Sequence, residues 1–295
     1  MTSANDLHLY ERRGDYIPRV AAVHDLCGYG KCSLGVAIPV LSAAGCDVCP
    51  VPTGLFSSHT AFPGWYMHDT TSIMEDYTNA WKGIEVEIDA VYSGFLGAPE
   101  QVDRIRDLYA TYPNALRVVD PVMADHGKVY PTYTPELCDA MAELAAGADI
   151  LTPNLTEAAI ILGEPIGDDW CGTDISDAEA ARMIDALVAK GAKHVVLKGI
   201  QREGESVIRN FVGGVDCDMF EAANEYLPYM LHGTGDLYCS CLMAAVMAGR
   251  SLRDAVVFAG DFTHDAMIVS AKQPDFKNRG VSFEPLLGKV AELLG

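Results

Sequence analysis

From Arg19 onward, short runs rich in Val, Ile and Leu alternate with longer stretches whose apolar residues fall three and four apart. Strands need paired edges and amphipathic helices need a covered face, so this rhythm points to a mostly parallel sheet with helices on both faces. Arg19–His24 is the first buried-strand candidate, and Ser33–Ala44 follows as a helix with Leu34, Ala37, Ile38 and Leu41 on one side. The same reading gives strands over Asp47–Pro52, Ile88–Ser93, Leu116–Val122, Asp149–Thr152 and Lys193–Lys198. It gives helices over Thr71–Trp81, Glu100–Thr111, Pro135–Ala146, Leu155–Leu162 and Asp177–Lys190.

After Lys198 the pattern changes. Ser206–Val212 and Val215–Glu221 read as two strands turned by Gly213-Gly214, an antiparallel edge on the sheet. The remainder reads as helices over Asp236–Ala248, Ser251–Lys272 and Leu286–Leu294. Gly54–His68, rich in Ser, Thr, Gly and Pro, reads as the longest irregular stretch, and long ordered loops tend to carry function. No repeat or linker divides the chain. The expectation is one α/β domain over residues 19–295 behind a polar leader, Met1 to Pro18.

Composition narrows the partners. With 49% hydrophobic residues in 295, the chain has material for a large core. Its 21 Lys+Arg against 41 Asp+Glu leave a net charge of −20, which argues against a nucleic-acid partner, because phosphate backbones are held by Lys and Arg. A local cradle can still oppose that field, so a nucleotide ligand stays open. No apolar run approaches the roughly 18 residues that span a bilayer, and no membrane partner is expected. The leader carries Asp6, Glu11, Arg12, Arg13 and Asp15 in place of a signal core. Nine Cys in apolar and turn contexts suit a reducing compartment, so the expected location is cytoplasmic. Neither Cys46-Asp47-Val48-Cys49 nor Cys239-Ser240-Cys241 has the companion pair that a structural zinc site needs.

The Gly28-Tyr29-Gly30-Lys31-Cys32-Ser33 segment follows the first strand but matches neither a dinucleotide fingerprint nor a P-loop. Ser33 takes the third glycine's place in the first motif, and in the second Cys32 follows the Lys. It reads as a glycine turn. The segment His232-Gly233-Thr234-Gly235-Asp236 is more informative, because it runs straight into a helical pattern. Two glycines around a Thr let successive N–H groups face one point, and the helix behind adds its own unpaired donors and positive dipole end. That is an anion hole. Asp236 then reads either as the helix cap or as a carboxylate that accepts a proton from an attacking hydroxyl, the pairing phosphoryl transfer requires.

Other charged residues gather at strand ends, where open α/β sheets bind ligands. Asp120 ends one strand in Val119-Asp120-Pro121, and Lys198 closes another, placed to neutralise a phosphate. In Thr152-Pro153-Asn154-Leu155-Thr156-Glu157, Glu157 stands at capping-box distance from Asn154. The functional alternative makes Asp120 and Glu157 oxygen ligands for Mg²⁺, reached through water.

Gly233-Thr234-Gly235-Asp236, taken with Asp120-Pro121-Val122-Met123 and Thr152-Pro153-Asn154-Leu155-Thr156-Glu157, resembles the ribokinase-like superfamily. With Phe56-Ser57-Ser58-His59-Thr60 and Asp89-Ala90-Val91-Tyr92-Ser93-Gly94-Phe95-Leu96-Gly97 added, the chain is similar to the pyridoxal kinases within it. The resemblance implies ATP-dependent phosphorylation of the 5′-hydroxymethyl group of a vitamin B6 vitamer. Asp236 would be the base, and Gly233, Thr234 and Gly235 the anion hole. Asp120, Thr152, Asn154, Glu157 and Lys198 would serve ATP and Mg²⁺. Asp25, Thr53, His59 and Phe95 would line the vitamer pocket, and Asp125–Tyr130, with Asp125, His126, Gly127 and Lys128 foremost, would form the covering lid. Such enzymes are usually cytosolic homodimers, and some respond to K⁺. Many have Ser where this chain has Asp25 and Tyr where it has Phe95. A carboxylate at 25 can pair with a cationic ring nitrogen or amine, tilting preference toward pyridoxamine or pyridoxine. The rival readings are a hydroxymethylpyrimidine kinase and, in another class, a regulatory protein that binds the ligand without phosphoryl transfer.

Overall fold

The computed structural model describes residues 7–166 and 174–295, so Met1 to Asp6 of the expected leader and one of the nine cysteines, Cys171, lie outside the described residues. Nine strands form one sheet in the order β11-β10-β9-β8-β5-β4-β1-β2-β3. Its middle is parallel: β8 (Ile150–Leu151), β5 (Leu116–Val119), β4 (Ala90–Ser93), β1 (Arg19–Cys27) and β2 (Asp47–Phe56). The strand β9 (His194–Gln201) joins β8 in parallel. Beyond it β10 (Val207–Gly214) and β11 (Cys217–Glu225) run antiparallel, as the glycine-rich pair predicts.

Alternate side chains feed two cores. Val91, Val119, Leu151 and Val195 face one; Ala90, Tyr92, Val118, Ile150 and Val196 face the other. The first is closed by α3 (Glu100–Thr111), α4 (Pro135–Ala145), α5 (Leu155–Leu162) and α6 (Asp177–Ala189), with Met74 of α2 (Thr71–Gly83). The second is closed by α1 (Leu34–Ala43), α7 (Thr234–Met247) and α8 (Leu252–Ser270). Helices therefore cover both faces. Every residue of α7 from Leu237 to Met247 is buried, so this helix has no solvent face and reads as apolar all round. Residues 7–18 are tied down rather than loose: Arg12 donates to the Ala44 and Gly45 carbonyls, and Tyr16 to Asp89.

Several expected boundaries shift, each for a local reason. Gly213-Gly214 lies within β10, and the hairpin turns at Val215-Asp216, where Asp216 takes φ 54°. Gly214 is needed for close approach instead: a methyl there would meet the Lys193 carbonyl at 2.2 Å. The strand expected to run to Val122 stops at Val119, before Pro121, which has no N–H to donate. Gly54–His68 is not wholly irregular, since β2 runs on to Phe56 and β3 (Met67–Asp69) returns antiparallel, giving the sheet a second antiparallel edge. The expected helix over Leu286–Leu294 is split into α10 (Leu287–Ala291) with a 3₁₀ turn at each end.

Since β1 pairs with β2 on one side and β4 on the other, the chain reverses its direction across the sheet at β1. A crevice opens outside the carboxyl ends of the strands at such a point. Asp120 and Thr152 follow the ends of β5 and β8 at this edge, and Lys198 reaches Asp120 there from within β9, which runs three residues past its expected end.

Candidate active site

The helix begins three residues earlier than a cap at Asp236 would require. Gly233 is the N-cap of α7, in the left-handed region at φ 81°, and Asp236 sits in the first turn with the helix already formed. The capping alternative therefore falls, and the carboxylate is free for other work. The turn is braced from outside: Thr234 Oγ1 donates to the Leu231 carbonyl, and Val281 N–H to that of His232. A methyl on Gly233 would lie 1.9 Å from the Lys31 carbonyl, backbone against backbone. We expect Gly233→Ala to lower turnover at least about a hundredfold, the scale of losing one anion-hole donor. Steady-state kinetics alongside a thermal melt checks this, and turnover within about threefold of wild type would remove the turn from catalysis.

Asp236 is half-buried, with one carboxylate oxygen turned fully inward. Its Oδ1 is buried with no hydrogen-bond partner among the described residues. Burial, with Asp120 and Asp25 adding their negative charge, pushes its carboxyl up to about 7, against the opposing pull of the Ser33 N–H and Lys198. A carboxylate balanced near neutrality is suited to accept a proton at physiological pH. Ser33, at φ 52°, contributes this N–H from the β1–α1 turn. Nothing in the sequence marks that role, because it depends on a strained backbone angle in a residue that is not glycine.

Lys198 stands beside the hole, its ammonium 3.7 Å from where a Gly235 methyl would sit. It pairs with Asp120 at 2.5 Å, and Thr152 donates to the same Asp120 oxygen at 2.9 Å. Burial alone would lower the Lys198 pKa, but Asp120 and Glu157 more than offset it and hold the group charged. The second Asp120 oxygen is buried without a partner among the described residues.

Glu157 and Asn154 complete the capping box. Asn154 N–H donates to Glu157 Oε2 at 2.8 Å, and Glu157 N–H to Asn154 Oδ1 at 2.9 Å. Burial pushes Glu157 up to about 8, with Lys198 pulling against it and Asp120 adding to it. The segment expected to form the lid is a small ribbon: β6 (Ala124–Asp125) and β7 (Lys128–Val129) pair across a turn at His126-Gly127. It is pinned to the start of α5, since Asn154 Nδ2 donates to the Ala124 carbonyl and Gly127 N–H to Thr156. Tyr130, the last residue of the expected covering loop, feels the negative charge of Glu157, Asp125 and Asp236.

The other pocket residues divide. Asp25 is nearly buried and its pKa is raised by that burial. Phe95 packs edge-on against Phe56 and Tyr133. The Thr53 hydroxyl donates to the Phe95 carbonyl, which ties β2 to the segment after β4 and occupies the hydroxyl proton. His59 accepts from Ala61 N–H and donates to the Asn278 carbonyl, and its ring stacks on His232 at 4.5 Å. It therefore props the turn leading into the anion hole.

The Gly233–Gly235 turn, the Asp236 carboxylate and the Lys198 ammonium lie together at the carboxyl edge of a doubly covered sheet. This defines a ribokinase-like phosphotransferase acting on a hydroxyl group. Comparison with known proteins agrees. Residues 39–280 match the family described as phosphomethylpyrimidine kinase. The chain is 28% identical over 277 residues to pyridoxal kinase PdxY of Pasteurella multocida, covering 84% of this chain and 88% of that protein. It is 30% identical to a hydroxymethylpyrimidine/phosphomethylpyrimidine kinase of Haemophilus influenzae, over 66% of this chain and 74% of the relative. A Bacteroides thetaiotaomicron protein assigned as a phosphomethylpyrimidine kinase, crystallised with pyridoxal, superposes with TM-score 0.87 at 33% identity, covering 93% and 96% of the two chains. The chain belongs to the phosphomethylpyrimidine kinase family, and its relatives include the pyridoxal kinases of the ribokinase-like superfamily.

Proposed function

We propose that this enzyme transfers the terminal phosphoryl group of ATP to the 5′-hydroxymethyl group of a vitamin B6 vitamer. The observation that carries the reading is Asp236, half-buried and balanced near pH 7, set one residue after the Gly233–Gly235 turn. Asp236 takes the hydroxyl proton while the turn and Lys198 receive the charge on the moving phosphoryl group. Asp25, Thr53 and Phe95 hold the ring, with His59 behind them, and the lid ribbon of Asp125, His126, Gly127 and Lys128 excludes water that would otherwise attack ATP.

The residues fit a divalent cation, because the unpartnered, buried Asp120 oxygen needs a positive neighbour. Asp120 would hold Mg²⁺, with Glu157 acting through water, since both Glu157 oxygens already accept backbone N–H groups. When bound, the cation supplies neutralisation of the phosphate oxygens. Thr152 and Asn154 keep Asp120 and Glu157 in place. We take residues 19–295 as one catalytic domain working as a cytoplasmic homodimer, the eight described cysteines being free and no described helix being long and apolar enough to cross a membrane.

A pyrimidine reading has the Haemophilus relative in its favour. ATP-coupled turnover with pyridoxal, pyridoxine, pyridoxamine and the hydroxymethyl aminopyrimidine separates the two. We expect a B6 vitamer to give the highest kcat/KM. Dominant turnover of the pyrimidine would reverse the assignment, and no ADP release with any of the four would favour a non-catalytic binder.

A further inference from the structure

The β1–α1 turn carries three ligating side chains that the proposed reaction does not use together. Asp25, Cys27 and Cys32 place one oxygen and two sulfurs within 4.8 Å of one another, a grouping found nowhere else among the described residues. We propose that Asp25, Cys27 and Cys32 form a binding site for a thiophilic divalent cation of the Zn²⁺ type at the mouth of the vitamer pocket.

The turn builds the site. β1 delivers Asp25 and Cys27, then Gly30 at φ 102° turns the chain between Cys27 and Cys32, which lie side by side. Gly28 N–H on the Phe56 carbonyl fixes the turn against β2. The four residues between Cys27 and Cys32 lie within the spacing of paired zinc ligands. Geometry agrees as well. Zn–S and Zn–O bonds of about 2.3 and 2.0 Å set the S···O edge of a tetrahedron at about 3.5 Å, and Cys27 Sγ lies 3.4 Å from Asp25 Oδ2. Both thiols are free and only half-buried, so a cation can reach them. Two sulfur ligands select against Mg²⁺, which prefers an all-oxygen shell, so the cation that accompanies ATP does not fill this position. Three protein ligands leave a fourth position for water.

The site has a consequence for the reaction, which rests on the vitamer reading of Asp25. A bound cation takes the Asp25 carboxylate away from the ring, so metal and vitamer compete. The metal site itself is tested without any substrate. Reduced, chelator-stripped full-length protein is dialysed against Zn²⁺ in the absence of nucleotide, and a parallel sample is titrated with Co²⁺. We expect one Zn²⁺ per chain and a thiolate-to-cobalt charge-transfer band. Cys27→Ser and Cys32→Ser should each weaken binding at least about tenfold, as loss of a ligand must exceed loss of an outer-shell partner. Circular dichroism of both variants confirms that they fold. Absence of stoichiometric Zn²⁺, Co²⁺ bound without the charge-transfer band, or unchanged affinity in the double Cys→Ser variant each overturns the site. In kinetics, Zn²⁺ should raise the vitamer KM and leave kcat unchanged in wild type but not in the double variant. Zn²⁺ bound at the cysteines with no change in KM would overturn the competition.

Discussion

Replacing Asp236 by Asn is expected to leave nucleotide binding near wild type and to lower turnover at least about a hundredfold, the scale of a lost general base. Nucleotide titration and single-turnover kinetics measure the two separately. The wild-type pH profile gives the same group a second test. Asp236 must be ionised to accept a proton, and its carboxyl is pushed up to about 7. The vitamer kcat/KM should therefore rise about tenfold per pH unit below that value and level off above it. Stability should move the other way. A carboxyl whose folded pKa is raised from 3.8 to about 7 favours folding in its protonated form. The native state loses stability as pH climbs through that window. Asn carries no charge, so Asp236→Asn should melt higher than wild type at pH 8, by at most about 4 kcal/mol in unfolding free energy. A variant that melts lower, or one that keeps near-normal turnover, would take the base role away from Asp236.

Lys198→Met should be the most damaging charge removal in the molecule. Asp120 is fully buried and Lys198 nearly so, and the two meet at 2.5 Å. Removing the ammonium strands a carboxylate in the interior, a change that costs about 3–5 kcal/mol. The double variant Asp120→Asn with Lys198→Met removes both charges and should recover most of that loss, while turnover stays low in both. Denaturant unfolding of the four proteins in the cycle measures the coupling. If the single variant is as stable as the double, the pair is not what neutralises Asp120.

How far the sequence anticipates this depends on whether a residue's neighbours are local. Glu100–Thr111 and Leu155–Leu162 are read to the residue because their ends carry their own signals, with the Asn154–Glu157 box at the start of α5 and Gly163 in the left-handed region at its end. The strand-end residues are legible because a parallel sheet sends every carboxyl end to one side. Long-range approach is what stays hidden. Gly214 looks like a turn residue, yet the Lys193 backbone 21 positions away dictates it. The N–H of Ser33 reaching Asp236 is equally invisible, since it depends on a backbone angle that composition does not encode. So is the return of Cys32 to Cys27, which hinges on the same turn.

The enclosed helix α7 makes the machine stiff along one axis. With eleven consecutive residues gripped on all sides, the rod bearing Asp236 cannot slide or roll independently of its jacket. Cutting a buried Leu or Met to Ala two or three turns below Asp236 would loosen that grip, at a cost of about 2–5 kcal/mol.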